Sequence, residues 1–346
     1  MNIGEARRAA VDWVVRHARS EEGYMGAYYS GSTVGLSDEL ELPAFSDIDI
    51  VVITALTEPP PKPGKLVHCG ALLEVTYLSM QQIAVVEEVL SSYHLAGSFR
   101  LDTIIDDPSG RLRTLQSQVA LEFNDIYWVR KRCENVMKKI EGGLRSIDTS
   151  APLHDLATSW LFPTGVTTHV ILVAALRNPT VRLRYSAARN VLVKYGLEQH
   201  YPRFLDQLGC TGMSPQQVEA HLIELEKTFD AAAGAAKTPF FFSSDITASA
   251  RPVVIDGSRE LIRTGCHREA VFWMAATFAR CHKILAADAP PGLQQTLAPA
   301  FEAMLSDLGM TVREDFSRRA EETIHFLPRL WEVAETIMAV NPNINK

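Results

Sequence analysis

The sequence predicts an α+β fold, with a small mixed β-sheet domain and flanking helices over residues 1–110, followed by an all-helical domain over residues 111–346. Three observations carry that expectation. The 346 residues exceed the roughly 150 of an average domain, so two domains are expected. Strand-like runs of β-branched and aromatic residues are confined to the first third, and helical periodicity dominates from about residue 111 onward. Hydrophobic residues make up 47% and charged residues 22%, the balance of a folded globular protein, which excludes disordered, collagen-like and fibrous classes.

Taken in order, residues 3–19 carry Ala6, Ala9, Ala10, Trp13, Val14 and His17 at helical spacing and predict an amphipathic helix. The period then changes. Residues 25–30 read as a short aromatic strand and residues 47–54 as a β-branched strand that is apolar on both faces beyond Asp49, and therefore central. Residues 66–78 read as two strands meeting near His68 to Gly70, and residues 101–105 as a further strand. The run Pro59-Pro60-Pro61-Lys62-Pro63-Gly64 lacks ladder donors and predicts a stiff, exposed connection. Helices are expected over 113–140, 154–176, 179–194, 215–233, 258–286 and 313–340. Between them, residues 239–252 carry Phe240, Phe241 and Phe242 without helical period, which fits a crossover packed on the core, a lid being the alternative.

The charge is −7, from 34 basic and 41 acidic residues, and lacks the basic footprint of phosphate-backbone binding; neither nucleic acid nor membrane is an expected partner. Clearly apolar runs such as 170–176 fall far short of the roughly 20 residues of a bilayer span, and no signal peptide or anchor is expected. Five scattered cysteines without a CxxC pair fit a reducing compartment, so the expected location is the cytoplasm. Cys266-His267 and Cys281-His282 lie fifteen residues apart in a helical segment, too far to share one metal.

The chemistry concentrates in two stretches. Alternate side chains of a strand point the same way, so Asp47 and Asp49 share one face with Cα atoms about 7 Å apart. Two negative charges at the start of an apolar strand cost stability unless something positive sits between them. A divalent cation resolves the conflict, and carboxylate oxygens are the hard ligands Mg²⁺ prefers. Glu74 is the only charge within residues 71–78, and on a neighbouring strand it can face the same site. Three such carboxylates could hold two Mg²⁺ ions that clamp an in-line displacement at phosphorus, or Glu74 could accept the proton of an attacking hydroxyl. Gly31-Ser32, leaving a strand and opening a helix, offers close backbone approach, amide donors and a hydroxyl to a phosphate chain. Neither GxxxxGK[ST] nor GxGxxG after a strand occurs, which sets aside P-loop and dinucleotide sites. With Asn178 as N-cap and Pro179 opening a helix, Arg182 and Arg184 fall in its first turns, where positive charge opposes the dipole. A phosphate partner or salt bridges would explain them. Arg130, Lys131, Arg132, Lys138 and Lys139 read as a solvated helix face.

This constellation resembles the nucleotidyltransferase superfamily whose fold is shared with DNA polymerase beta. Gly31-Ser32, Ser46-Asp47-Ile48-Asp49 and Leu73-Glu74-Val75-Thr76 look most like the adenylyltransferases that act on aminoglycosides, particularly streptomycin and spectinomycin. Residues 103–112 resemble the last strand and turn of that domain, and the likeness covers about residues 25–115. It implies that Asp47, Asp49 and Glu74 bind two Mg²⁺ ions, with Glu74 as general base, and that Gly31, Ser32 and Ser46 hold the nucleotide. The implied reaction transfers a nucleoside monophosphate, AMP from ATP or another NTP, to a hydroxyl of a small molecule and releases pyrophosphate. An aminoglycoside-like cationic acceptor suits an acidic chain. A protein-modifying, antitoxin-type enzyme and a nucleotide-binding regulatory protein without turnover are the alternatives, though retention of three acids argues against the second. Fourteen residues separate Ser32 from Asp47, more than is usual in the family, which predicts an inserted loop over residues 37–45. The helical half, expected to bind the acceptor, carries no motif that names it, and the oligomeric state stays open.

Overall fold

A capping box starts the first helix, α1 (Ile3–Arg16), in this computed structural model, which describes residues 1–42 and 45–346. The Asn2 side chain accepts from the Glu5 amide, and the Glu5 carboxylate accepts from the Asn2 amide. The small residues Ala6, Ala9 and Ala10, with Trp13 and Val14, bring α1 close against one face of a five-stranded sheet. Ala27, Ile48, Ile50, Val52, Leu73, Val75 and Tyr77 form the other half of that core.

The strands are β1 (Tyr24–Ser30), β2 (Ile48–Thr54), β3 (Gly64–His68), β4 (Ala71–Ser79) and β5 (Ile104–Asp106), in the order β3-β4-β2-β1-β5. Only the β2–β4 pair is parallel, so the sheet is mixed, as expected. Strand β2 is central and buried throughout except at Asp49. The β3–β4 hairpin turns on Cys69 and Gly70, both with positive φ (48° and 80°), the backbone twist that two-residue hairpin turns require. Pro60, Pro61 and Pro63 lie exposed in the connection into β3. Against the second face of the sheet lies a short helix, α3 (Ala96–Phe99), where Tyr28 packs 4.6 Å from Phe99 between ring centroids; another short helix, α2 (Val86–Ser91), packs beside α3.

Packing divides the chain into Met1–Asn135 with Leu176–Pro179 and Asn341–Lys346, and Val136–Ala175 with Thr180–Val340. Strand signals end near residue 110, but the packing boundary falls within α5 (Ile126–Arg145), because α4 (Arg111–Glu122) lies against α2 and α3. The helical stretch expected over 113–140 is accordingly two helices. Arg132 on α5 is not part of a solvated face; it is buried, donating to the carbonyls of Leu90 and Phe123 with its guanidinium 4.2 Å from the Phe123 ring centroid.

The second unit comprises α6 (Leu153–Ala174), α7 (Arg184–Lys194), α8 (Tyr201–Leu208), α9 (Pro215–Ala235), α10 (Arg251–Arg263), α11 (His267–Asp288), α12 (Pro291–Asp307) and α13 (Arg313–Val340). Helix α6 is long and apolar enough to cross a membrane, with mean hydropathy 1.3 over its most apolar window, and 78% of that window is buried inside the protein. The helix expected from Pro179 begins only at Arg184, and Asn178 caps nothing, because the chain leaves α6 through Leu176 at φ 57°. Gly265, at φ 80°, separates α10 from α11 within the stretch expected as one helix. The Phe240 to Phe242 segment is a packed crossover: Phe242 and Asp245 are buried, and Asp245 accepts from Arg280 at 2.8 Å.

Arg184 sits inside this unit with its guanidinium 3.8 Å from the Phe272 ring centroid. Gly165 on α6 makes room for that stack, since a Cβ there would lie 2.7 Å from Arg184 Nη1 and overlap the Phe272 ring. Gly165→Ala is therefore expected to destabilise the protein by about 1–3 kcal/mol through overpacking, against the stabilisation that alanine brings to an open helical site. Denaturant unfolding measures the sign.

Candidate active site

The strand registers set one row of side chains across the sheet. Ser30 on β1 pairs with Asp49 on β2, Asp49 with Glu74 on β4, and Glu74 with Lys65 on β3. Asp47 lies one residue before β2 rather than within it, and still joins the row. Lys65 Nζ is 2.7 Å from Asp47 Oδ2 and also donates to Glu74 Oε2, while Lys62 Nζ donates to Glu74 Oε1 at 2.9 Å. The side chains of Lys65, Asp47 and Glu74 are 7%, 18% and 20% exposed, so these ion pairs are well shielded from water.

Gly31 follows β1 with φ 72°, and the Asp49 carboxylate occupies the space where a side chain would start: a Cβ on Gly31 would overlap Asp49 Oδ2 and Cγ. The glycine expected to approach a ligand thus first accommodates Asp49. Residues Gly31–Thr33 form a single 3₁₀ turn and not the start of an α-helix. Ser32 is exposed on that turn and Ser46 is half-buried beside Asp47. The carbonyl of Gly31 accepts from Asn178 Nδ2 at 3.1 Å, which ties the turn to the Leu176–Pro179 segment. Of the loop expected over 37–45, Pro43 and Ala44 lie outside the described residues. Its first part caps α1, the carbonyls of Asp38 and Leu40 accepting from the free amides of Gly4 and Ile3.

Electrostatics separate the three acids. Asp49 is half-buried by exposed area but densely surrounded by protein atoms; desolvation, and then the charges of Asp47 and Glu74, push it well above the usual carboxylate range. No hydrogen bond or ion pair to its carboxylate occurs among the described residues. Burial also works against the Glu74 charge, but Lys65 and Lys62 outweigh it and hold this carboxyl at about 2. A carboxylate that acidic is a weak proton acceptor at neutral pH, and its surroundings suit an anchor for two ammonium groups better than a general base. The oxygen donors of Asp49 and Asp47 suit a hard divalent cation, which would add to the partial relief that the charges of Lys65 and Lys62 give Asp49.

Two arginines that sequence reasoning missed belong to the same unit. Arg100 lies beside the end of the glycine-serine segment, its Nη2 3.4 Å from where a Cβ on Gly35 would stand, and its Nη1 donates to the Leu176 carbonyl at 2.6 Å. Burial, and then the neighbouring positive charge of Arg177, lower its pKa. Neither arginine has a carboxylate partner among the described residues. Their separation in sequence hid the pair. Arg182 and Arg184, the expected phosphate ligands, belong to the helical unit; Arg182 is half-buried, and Arg184 is committed to Phe272 and to the Val181 carbonyl at 2.8 Å. A separate group of metal-capable atoms, on Asp12, His68 and Cys69, lies within 4.8 Å, but Asp12 is already shared between His68 and Arg16.

A carboxyl raised in the folded state loses stability once the unfolded chain ionises, above about pH 4. Asp49→Asn keeps the shape and removes the repulsion, so at pH 7 the metal-free variant is expected to melt higher than wild type, by about 2–4 °C for each kcal/mol relieved. It is also expected to lose any stabilisation by Mg²⁺. Thermal unfolding with and without the ion checks both, and a lower midpoint for the metal-free variant contradicts the electrostatic account.

No protein-family model matches this chain and no curated protein matches its sequence, so the chemistry of the site has to be read from its own residues.

Proposed function

We propose that the sheet unit is a magnesium-dependent nucleotidyltransferase of the polymerase-beta type, which transfers a nucleoside monophosphate, AMP from ATP, to a hydroxyl of a small molecule. The observation that carries this reading is the clustering of Asp47, just before β2, with Asp49 on β2 and Glu74 on the adjacent β4, the Gly31-Ser32 turn lying directly against Asp49.

In this reaction the acceptor oxygen forms a bond to the α-phosphorus, the bond from that phosphorus to the bridging oxygen breaks, pyrophosphate leaves, and the hydroxyl proton passes to solvent. Mg²⁺ held by Asp47 and Asp49 would neutralise charge on the α-phosphate. The turn at Gly31-Ser32 offers a hydroxyl and backbone amides to the phosphate chain. Arg100, beside Gly35, and its neighbour Arg177 would offer positive charge to the β- and γ-phosphates. Phosphoryl transfer of this kind asks the protein for positioning and electrostatics more than for proton transfer, which agrees with a Glu74 held ionised by two lysines. The acidic chain suits a cationic acceptor with free hydroxyls, of the aminoglycoside type.

Thermal stabilisation by ATP, GTP, CTP and UTP, each with and without Mg²⁺, tests the donor half. One nucleotide, expected to be ATP, should raise the midpoint only with Mg²⁺, and Asp49→Asn should abolish the rise. Arg100→Met should weaken nucleotide binding about tenfold, the loss of one charge-assisted contact. Release of pyrophosphate in the presence of a panel of aminoglycosides then tests the acceptor. Absence of stabilisation by every nucleotide overturns the reading.

A further inference from the structure

Lys65 departs from what a solvent-facing strand lysine does. Its side chain is 7% exposed, and its ammonium group is shared between two acids of the candidate active site, Asp47 and Glu74. The antiparallel register places it directly opposite Glu74, so its position follows from the sheet itself. Lys62 engages the remaining Glu74 oxygen. Pro61 and Pro63 flank Lys62 and restrict the chain there, which lowers the entropy lost in holding that contact.

These contacts distribute the carboxylate oxygens. Both oxygens of Glu74 and one of Asp47 are occupied by ammonium groups, which leaves the other Asp47 oxygen and the Asp49 carboxylate without an ammonium partner among the described residues. A two-metal arrangement needs a divalent ion between Asp47 and a third carboxylate, and Lys65 Nζ stands between those groups. With both lysines counted and Asp49 ionised, the three acids retain one net negative charge.

We propose that Lys65 supplies from the protein the positive charge that a second divalent ion would otherwise bring, so that the site takes a single Mg²⁺ and Glu74 holds Lys65 in place of a metal. The proposal rests on the nucleotidyltransferase reading of the same site. It also accounts for a third acid whose oxygens are both turned to lysines.

The test counts Mn²⁺ bound by the full chain with α,β-methylene-ATP, using equilibrium dialysis and electron paramagnetic resonance. Wild type is expected to bind one ion per chain with an uncoupled spectrum. Lys65→Met should admit a second ion, with the dipolar broadening of two ions about 3.5–4 Å apart. Lys65→Arg, which keeps the charge, should return the count to one. Two ions in wild type, or one in a folded Lys65→Met, overturn the proposal and leave the donor-site reading standing. Failure of wild type to retain any Mn²⁺ with the nucleotide analogue overturns the nucleotidyltransferase reading and this inference together. Circular dichroism confirms the fold of each variant, and if Lys65→Met does not fold, the wild-type count decides.

Discussion

The structure of the sheet unit turns on one unfavourable arrangement, a carboxylate set into a central apolar strand and crowded by two others. Strand β2 is buried along its length except at Asp49. Desolvation opposes the charge of Asp49, Asp47 and Glu74 add repulsion, and the charges of Lys65 and Lys62 offset only part of it. Much of the surrounding geometry accommodates that charge. Gly31 has no side chain because Asp49 fills the space, Lys65 is withdrawn from solvent to serve Asp47 and Glu74, and Lys62 reaches Glu74 from a proline-braced connection. Asp49 itself is left without a compensating hydrogen bond or ion pair among the described residues. A fold selected for stability alone would place an apolar residue or asparagine there, and on the proposed reading a bound cation is what offsets the cost.

Strand order does the assembling. The parallel pairing of β2 with β4 puts Asp49 beside Glu74 in register, and parallel neighbours require a connection that leaves the sheet plane or passes along its edge. Here the chain between them includes β3, which pairs with the far side of β4 and brings Lys65 opposite Glu74. One connection therefore delivers both the third acid and its counter-charge. On the other side of β2, β1 ends at Ser30 opposite Asp49, so the turn that follows starts at the carboxylate.

How much of this was legible in the sequence depended on the range of the interaction involved. The alternation of Asp47 and Asp49, the apolar run after them and the isolated Glu74 are local patterns, and the strand register places Asp49 beside Glu74 while Lys65 joins Glu74 to Asp47. The strand limits near His68 to Gly70 were likewise local, set by a two-residue turn. Lys65 was not legible, because a lysine in a short strand ordinarily points to water and only the register with β4 turns it inward. Lys62 was hidden in a segment that reads as a linker. Arg100 and Arg177 depend on a contact between residues far apart in the chain. The error at Arg184 has a backbone origin: Asn178-Pro179 has the composition of a helix start, but the left-handed residue at Leu176 sends the chain on an irregular path until Arg184. The opening after Gly31 failed similarly, since a glycine and a serine favour a turn as much as a helix.

The same lysines decide which role Glu74 can play. A general base works best with a pKa near the working pH, and Glu74, at about 2, is far too acidic to hold a proton taken from a hydroxyl. Removing the lysines would make it a better base and, at the same time, would add uncompensated charge beside Asp49. The two effects are linked through one carboxylate, so the site cannot have a basic Glu74 and an ammonium-bound Glu74 together. For a loose transition state at phosphorus, in which charge spreads over the equatorial oxygens, fixed positive charge lowers the barrier more than a stronger base does. On the proposed reading the structure follows that preference: the third acid is committed to keeping positive charge in place, and the proton is left to the solvent.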